Sequence, residues 1–369
     1  MEENTSIPFD FRGEGRAYFR IWIVNLFLSV ISLGIYSAWA KVRSNRYLYS
    51  HLYLDGASFE YLAKPLGILV GRVIAVCLFA SYTIVSRYFP DFTVEFFLIL
   101  VPVVPWVLLK SLQFRANNTA YRNIRFHFHG TYASALVSIG LVPALVPLPF
   151  LAYEAWGRDV AVSHYSLMYF ALCTTGFFVG VALHNYFRYI ASNTSYGATR
   201  FTFESKVSEY FGMLTMVIFG VAALAILVII SIFAIVVTIS ALDISFRSEV
   251  NRILGGGVGL ILYVWAMAMF TTNTTNLLYN GIAIPGWYRF KSDISSWGMF
   301  KVYFINTVLI IATLGMYIPF AKLRLIRYRT EHLQLLSTAP LDQFVLDEHA
   351  EVSATGQEVD EIFGVELSL

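Results

Sequence analysis

The stretch YFGMLTMVIFGVAALAILVIISIFAIVVTISAL, Tyr210–Leu242, runs for 33 residues without a charged side chain. A second stretch, Ile253–Tyr288, runs for 36. A bilayer core of about 30 Å needs roughly 20 apolar residues per helix, so both are long enough to cross it. The whole chain repeats the message. Of its 369 residues, 57% are hydrophobic and 14% charged, against roughly a quarter charged in average soluble domains. A soluble fold of this length could not cover that much apolar surface with polar side chains. The composition excludes soluble enzymes, disulfide scaffolds and nucleic-acid modules. It predicts an all-α fold, a polytopic helical membrane bundle.

Apolar runs lie near residues 21–40, 66–86, 92–109, 132–153, 165–187, 211–241, 253–278 and 302–321. They predict about eight membrane-embedded segments. A second pattern sits between alternate runs. Ala116-Asn117-Asn118-Thr119-Ala120-Tyr121 leads to Arg125-Phe126-His127-Phe128, and Ala191-Ser192-Asn193-Thr194-Ser195-Tyr196 leads at the same distance to Arg200-Phe201-Thr202-Phe203. Related aromatic-x-aromatic triplets occur at Phe9-Asp10-Phe11, Phe59-Glu60-Tyr61 and Tyr288-Arg289-Phe290. Each is a period-two segment with aromatics on one face, read here as a short extended turn joining one helix to the next. Anchoring at headgroup level is the simple role for these aromatics; a ligand-stacking platform is the functional alternative.

The two ends of the chain repeat one another. Residues 20–52 align without a gap on 301–333 and match at twelve of 33 positions, among them Asn25/Asn306, Leu33-Gly34/Leu314-Gly315, Lys41/Lys322, Arg43/Arg324, Arg46/Arg327 and His51/His332. Internal duplication is common in transport folds and in other membrane bundles. If every apolar run crosses once, the two copies point in opposite directions and the basic residues divide 15 to 11 between the two sides. If each end copy dips in and returns at its Leu-Gly turn, 22 basic residues share one side, leaving Arg87, Arg158, Arg247 and Arg252 on the other. The positive-inside rule favours the second arrangement. Twenty apolar residues with basic ends also fit one clean span.

Residues 1–336 are read as the membrane-embedded bundle and 337–369 as a flexible acidic tail, because the last 28 residues hold eight acids and no Lys or Arg. The rest of the chain carries 26 basic against 16 acidic groups. Two cysteines inside apolar runs, Cys77 and Cys173, fit core packing.

The string Leu33-Gly34-Ile35-Tyr36-x-x-Trp39-Ala40-Lys41-x-Arg43-x-x-Arg46-Tyr47 resembles the signature of the YjgN family. The opening Phe9-x-Phe11-x-Gly13-x-Gly15 and the Asn-Thr-x-Tyr segments fit as well, and the resemblance covers nearly the whole chain. The second copy departs from it, with Pro319-Phe320 where the first has Ala38-Trp39. The resemblance implies a multi-pass protein of the bacterial inner membrane with no established substrate, cofactor or catalytic residue. By association with neighbouring genes it makes a membrane zinc metallopeptidase a candidate partner.

Motifs for chemistry are sparse. There is no His-Glu-x-x-His, paired-cysteine or nucleophile-elbow pattern and no phosphate loop, so no catalytic or metal residues, no cofactor and no enzymatic activity are expected. His127 and His129 share a face but lack a nearby acidic third ligand. The cluster Gly255-Gly256-Gly257-x-Gly259 reads as close helix packing. The middles of the eight runs hold no Asp, Glu, Lys or Arg, which argues against a carboxylate proton relay. Candidate polar groups within the membrane are Asn25 and Asn306, as interhelical glue or as a binding site, with His184, Asn273 and Asn276 as weaker ones. Lys41, Arg43, Arg46, Lys322, Arg324 and Arg327 are candidates for lipid headgroups. Two functions compete. One is passive transport or handling of a small or amphipathic molecule such as a lipid. The other is a non-catalytic scaffold whose acidic tail docks a protein partner. Neither involves nucleic acid.

Overall fold

The structure, a computed structural model, describes residues 5–156, 164–241, 247–337 and 340–350. Five helical hairpins alternate with short strands. The first is α1 (Gly15–Ile31) with α2 (Ser37–Ser50), between β1 (Thr5–Phe11) and β2 (Leu52–Leu54). After β3 (Ala57–Tyr61), α3 (Pro65–Tyr88) leaves, and α4 (Thr93–Leu100) and α5 (Val103–Asn117) return to β4 (Thr119–Tyr121). β5 (Ile124–Phe128) leads into α6 (Tyr132–Ala135), α7 (Val142–Ala144) and α8 (Leu148–Trp156), and α9 (His164–Ser192) returns. β6 (Thr194–Tyr196), β7 (Thr199–Arg200) and β8 (Thr202–Phe203) precede α10 (Val207–Ala241) and α11 (Arg247–Gly281). β9 (Ile282–Ile284) and β10 (Tyr288–Ser292) precede the last hairpin, α12 (Ser296–Ala312) with α13 (Ile318–Glu331), and β11 (Leu333–Ser337) ends it. Residues 341–350 form a further helix, α14.

The strands form one eleven-stranded antiparallel sheet in the order β7-β6-β5-β4-β3-β2-β1-β11-β10-β9-β8. Its two edges, β7 and β8, are separated in sequence by Phe201 alone, so the sheet comes back on itself as a nearly closed ring. Closure protects strands of two to seven residues that could not stand alone. The helices close the same circle, each packing on its chain neighbours until α13 returns to α1.

This architecture overturns the all-α bundle of about eight segments. Among the described residues, four helical stretches are long and apolar enough to cross a membrane: Pro65–Tyr88, Ser166–Ser192, Val207–Ser231 and Gly256–Gly281. The run at 92–109 breaks between α4 and α5, next to Pro102 and Pro105. The run at 132–153 breaks into α6, a π-turn, α7 and α8 around Pro143, Pro147 and Pro149. Proline removes an N–H donor and clashes with the preceding turn. The aromatic triplets are extended, as their period predicts, but they are strands of one sheet rather than isolated turns. Their partners lie in distant segments, most remotely β1 with β11, where Ser6 opposes Leu336.

The runs at 21–40 and 302–321 are helix-turn-helix hairpins. Leu33 and Gly34 adopt φ of 50° and 89°, and Leu314 and Gly315 adopt 49° and 91°. The N–H of Gly34 donates to Ser29 O at 2.8 Å and that of Gly315 to Ile310 O at 2.8 Å. Ser32 Oγ and Thr313 Oγ1 then accept the N–H of Tyr36 and Tyr317. With 17 residues, α1 and α12 each reach about 25 Å, short of a full bilayer core. Both copies therefore enter and leave on the side of the sheet, matching the arrangement that gathers 22 basic residues together.

Three glycines of the cluster opening α11, Gly256, Gly257 and Gly259, make no close helix contact. A Cβ added at Gly256, Gly257 or Gly259 meets nothing within 4 Å. The close approach lies at Gly220 of α10, where it would stand 2.5 Å from Met269 of α11.

Candidate functional site

The returning limb of each hairpin lines the axis of the ring. Tyr49 of α2, Arg115 of α5, Ile190 of α9, Tyr279 of α11 and Arg329 of α13 border one cavity of about 770 Å³ that continues into the sheet. Each aromatic triplet brings a phenylalanine to the cavity, Phe9, Phe59, Phe126, Phe201 and Phe290, and Phe128 and Tyr288 border it as well. The rings of the first five form a belt. Phe9 lies 6.3 Å from both Phe59 and Phe290, and Phe201 lies 6.4 Å from Phe290 and 6.3 Å from Phe126. Tyr121 and Tyr196 bridge the remaining side, 4.8 Å from Phe59 and 5.1 Å from Phe126 respectively. Strand alternation explains the arrangement, because residues two apart share a face while the middle residue points outward. Asp10, Glu60, His127 and Arg289 accordingly sit on the exposed side.

Tyr121 and Tyr196 hold the belt by their hydroxyls, which donate to Leu54 O at 2.7 Å and to Tyr121 O at 3.0 Å. Burial pushes the Tyr121 phenol up to about 12 and raises that of Tyr196 as well. Both stay neutral donors at physiological pH. The cavity's charged lining among the described residues is Arg115 and Arg329. Arg329 Nη2 donates to Tyr303 at 3.2 Å, while its buried Nε has no hydrogen-bond partner there.

The four β-turns gather at the mouth of the ring away from the helices, and α14 lies across it. Leu341, Phe344 and Val345 join the core formed by Phe9, Tyr121, Tyr196 and Tyr288. Phe344 packs 5.3 Å from Tyr288, 5.4 Å from Trp287 and 5.9 Å from Tyr196. Arg122 of the β4–β5 turn binds Asp342 at 2.5 Å and Asp55 of the β2–β3 turn at 2.8 Å. Glu348, 2% exposed, accepts the N–H of Ala198 at 2.8 Å and the hydroxyl of Thr199. The segment expected to be a tail thus begins as a docked helix, and its acids after residue 350 lie outside the described residues.

A family model described as a bacterial protein of unknown function (DUF898) matches residues 6–362. The chain belongs to this DUF898 family. It is 24% identical to the inner membrane protein YjgN of Salmonella typhimurium strain LT2 over 363 residues, which cover 90% of this chain and 89% of the relative. It is 28% identical to the YjgN protein of Escherichia coli strain K12 over 211 residues, covering 53% and 52%. The resemblance to YjgN proteins therefore holds, and this DUF898 member is a protein of the bacterial inner membrane. No solved structure matches it.

The polar residues singled out in this DUF898 sequence do not converge on one point. Asn25 Nδ2 donates to Ala40 O at 3.3 Å, and Asn306 Nδ2 to Ala321 O at 3.2 Å, so each ties the two limbs of its own hairpin. Asn306 Oδ1 also accepts from Arg324 at 3.3 Å. His184 Nε2 pairs with Ser205 O at 3.0 Å. Asn273 bonds its own helix at Met269 O. Asn276 clasps the start of α12, donating to Ile294 O and accepting from Ser292 Oγ. Among the basic candidates, Arg46 donates to Ala63 O, Arg327 donates to Gly13 O, and Arg43 is exposed. Lys41 and Lys322 border a second cavity, between the end hairpins. Sequence reasoning missed Arg115 and Arg329. One signal was available: each stands in the last turn of its helix, three positions before the C-capping residue, Asn118 or His332.

Proposed function

We propose that this protein handles an amphipathic anion in the inner membrane, taking it into the axial cavity. The observation that supports this reading is the lining: an aromatic and aliphatic chamber of about 770 Å³ whose charged groups, among the described residues, are two arginines. Ligand sites of several hundred Å³ with apolar walls and few polar groups are the usual form for small molecules. Arginine beside such walls suits a carboxylate or phosphate carried on an apolar body. The same geometry supports the passive-transport reading, with the phenylalanine belt as the constriction and α14 as the closure of its mouth.

The test uses the full chain in mild detergent, with oleate as the probe anion and oleyl alcohol as its neutral analogue. Native mass spectrometry should show retained oleate, at least tenfold weaker retention of the alcohol, and loss of that preference in Arg115→Gln/Arg329→Gln. Arg115→Lys/Arg329→Lys should keep it. Equal retention of both probes by the native chain would sink the reading.

A further inference from the structure

The second cavity, about 390 Å³, lies between the first hairpin and the start of α13. Lys41 and Lys322, matching positions of the two end repeats, both border it, with Asn25, Ser29, Ser44 and Asn45. Its lining contains no Asp or Glu among the described residues. Lys322 Nζ stands 5.7 Å above the ring of Tyr18, and Trp22 and Leu26 complete an apolar wall.

The amide of Asn25 makes this a site rather than a gap. Asn25 is 4% exposed, and its Oδ1 has no hydrogen-bond partner among the described residues. In the matching hairpin, the equivalent Oδ1 of Asn306 accepts from Arg324. Arg43, the counterpart of Arg324, is exposed and makes no such bond. The same residue pair is thus self-satisfied in one copy and left with an open acceptor in the other, and a buried acceptor without a donor is costly. An occupant must bring negative charge for the two lysines and a hydrogen-bond donor for Asn25. The lining itself includes exposed apolar side chains, Leu26 and Ile318, each 43% exposed. Acyl chains have a place to lie there.

We infer that this cavity binds the headgroup of a glycerophospholipid, its phosphate between Lys41 and Lys322 and a headgroup hydroxyl or ammonium donating to Asn25 Oδ1. This cavity shares no lining residue with the axial one, and Arg115 of the axial cavity acts on Lys41 only through its charge.

The full chain in detergent is titrated with phosphatidylglycerol, phosphatidylethanolamine, phosphatidylcholine and inorganic phosphate, and bound lipid is read by native mass spectrometry. Phosphatidylglycerol or phosphatidylethanolamine should be retained at least tenfold more tightly than phosphatidylcholine, whose trimethylated headgroup offers no donor. Lys41→Gln/Lys322→Gln should abolish that retention with a thermal unfolding midpoint close to that of the native chain, since both residues are exposed. Arg329→Gln, at a residue that borders the axial cavity alone, should leave it intact. Equal retention of the three lipids, or retention surviving the double lysine variant, would overturn the site. Displacement by inorganic phosphate at concentrations matching the lipid would overturn the lipid assignment.

Discussion

Glu348 accepts the backbone N–H of Ala198 at 2.8 Å across 150 positions of sequence, and that contact fastens α14 over the mouth of the strand ring. Gly197, at φ 58°, makes room for it: a Cβ there would stand 2.2 Å from Glu348 Oε2. Glu348→Ala removes a charged acceptor, a change worth about 2 kcal/mol. Amides of residues 341–350 should then exchange faster with deuterium in the full chain, while the strands and helices keep their protection. Unchanged exchange of α14 would show that Leu341, Phe344 and Val345 hold it without the carboxylate.

The hairpin tips depend on glycine. Gly34 and Gly315 sit at φ of 89° and 91°, outside the comfortable range of an L side chain. Nothing crowds Gly34, so Gly34→Ala isolates the backbone strain. Each substitution to alanine should cost about 1–3 kcal/mol, read as a lowered thermal midpoint in detergent. An unaltered midpoint for both would mean that the tip refolds into another turn.

Asn25→Leu and Asn306→Leu remove the same interlimb bond, worth on the order of 1 kcal/mol within a membrane. They should not be equal. Asn306→Leu also strips the charged Arg324 of its acceptor, whereas Asn25→Leu loses besides only a long 3.4 Å bond to Ser44 Oγ and an oxygen that had no partner among the described residues. Thermal unfolding should therefore fall further for Asn306→Leu. The reverse order would contradict the asymmetry between the two hairpins.

The common root of all five hairpins fixes a topology. With Cys77 and Cys173 replaced by serine, Asp55→Cys in a β-turn should resist a membrane-impermeant thiol reagent in intact cells and react in inverted vesicles. Asp91→Cys, between α3 and α4, should do the opposite. Leu33→Cys, at a tip 93% exposed in the isolated chain, should react from neither side. Labelling of Asp55→Cys and Asp91→Cys from one side would contradict the hairpin arrangement.

Local signals in the sequence were reliable where the chemistry is local. Period-two aromatics mark extended segments at Phe59 and Phe126, and Leu33-Gly34 marks a turn. The pairing of those extended segments was not legible, because ring partners such as Phe9 and Phe290 meet across 281 positions of sequence. Arg115 and Arg329 were passed over for a related reason: near a helix end an arginine can snorkel to the interface, and only the ring of hairpins directs these two at a shared axis.

The sequence by itself determined the solvent. Long uncharged runs such as Tyr210–Leu242 require a bilayer, whereas the side taken by the basic residues depended on whether the two end copies cross or turn back, which the sequence left open. The Leu-Gly turns of the end copies were also legible, since they act through local covalent geometry, whereas the breaks at Pro102 and Pro143 emerged only in the structure. The tertiary structure alone decided that five hairpins and eleven strands close around one axis, that Phe201 completes the belt, and that Glu348 seats the last helix upon it. Those outcomes depend on pairings whose partners are chosen by the closure of the whole ring, and no single stretch of chain carries that information.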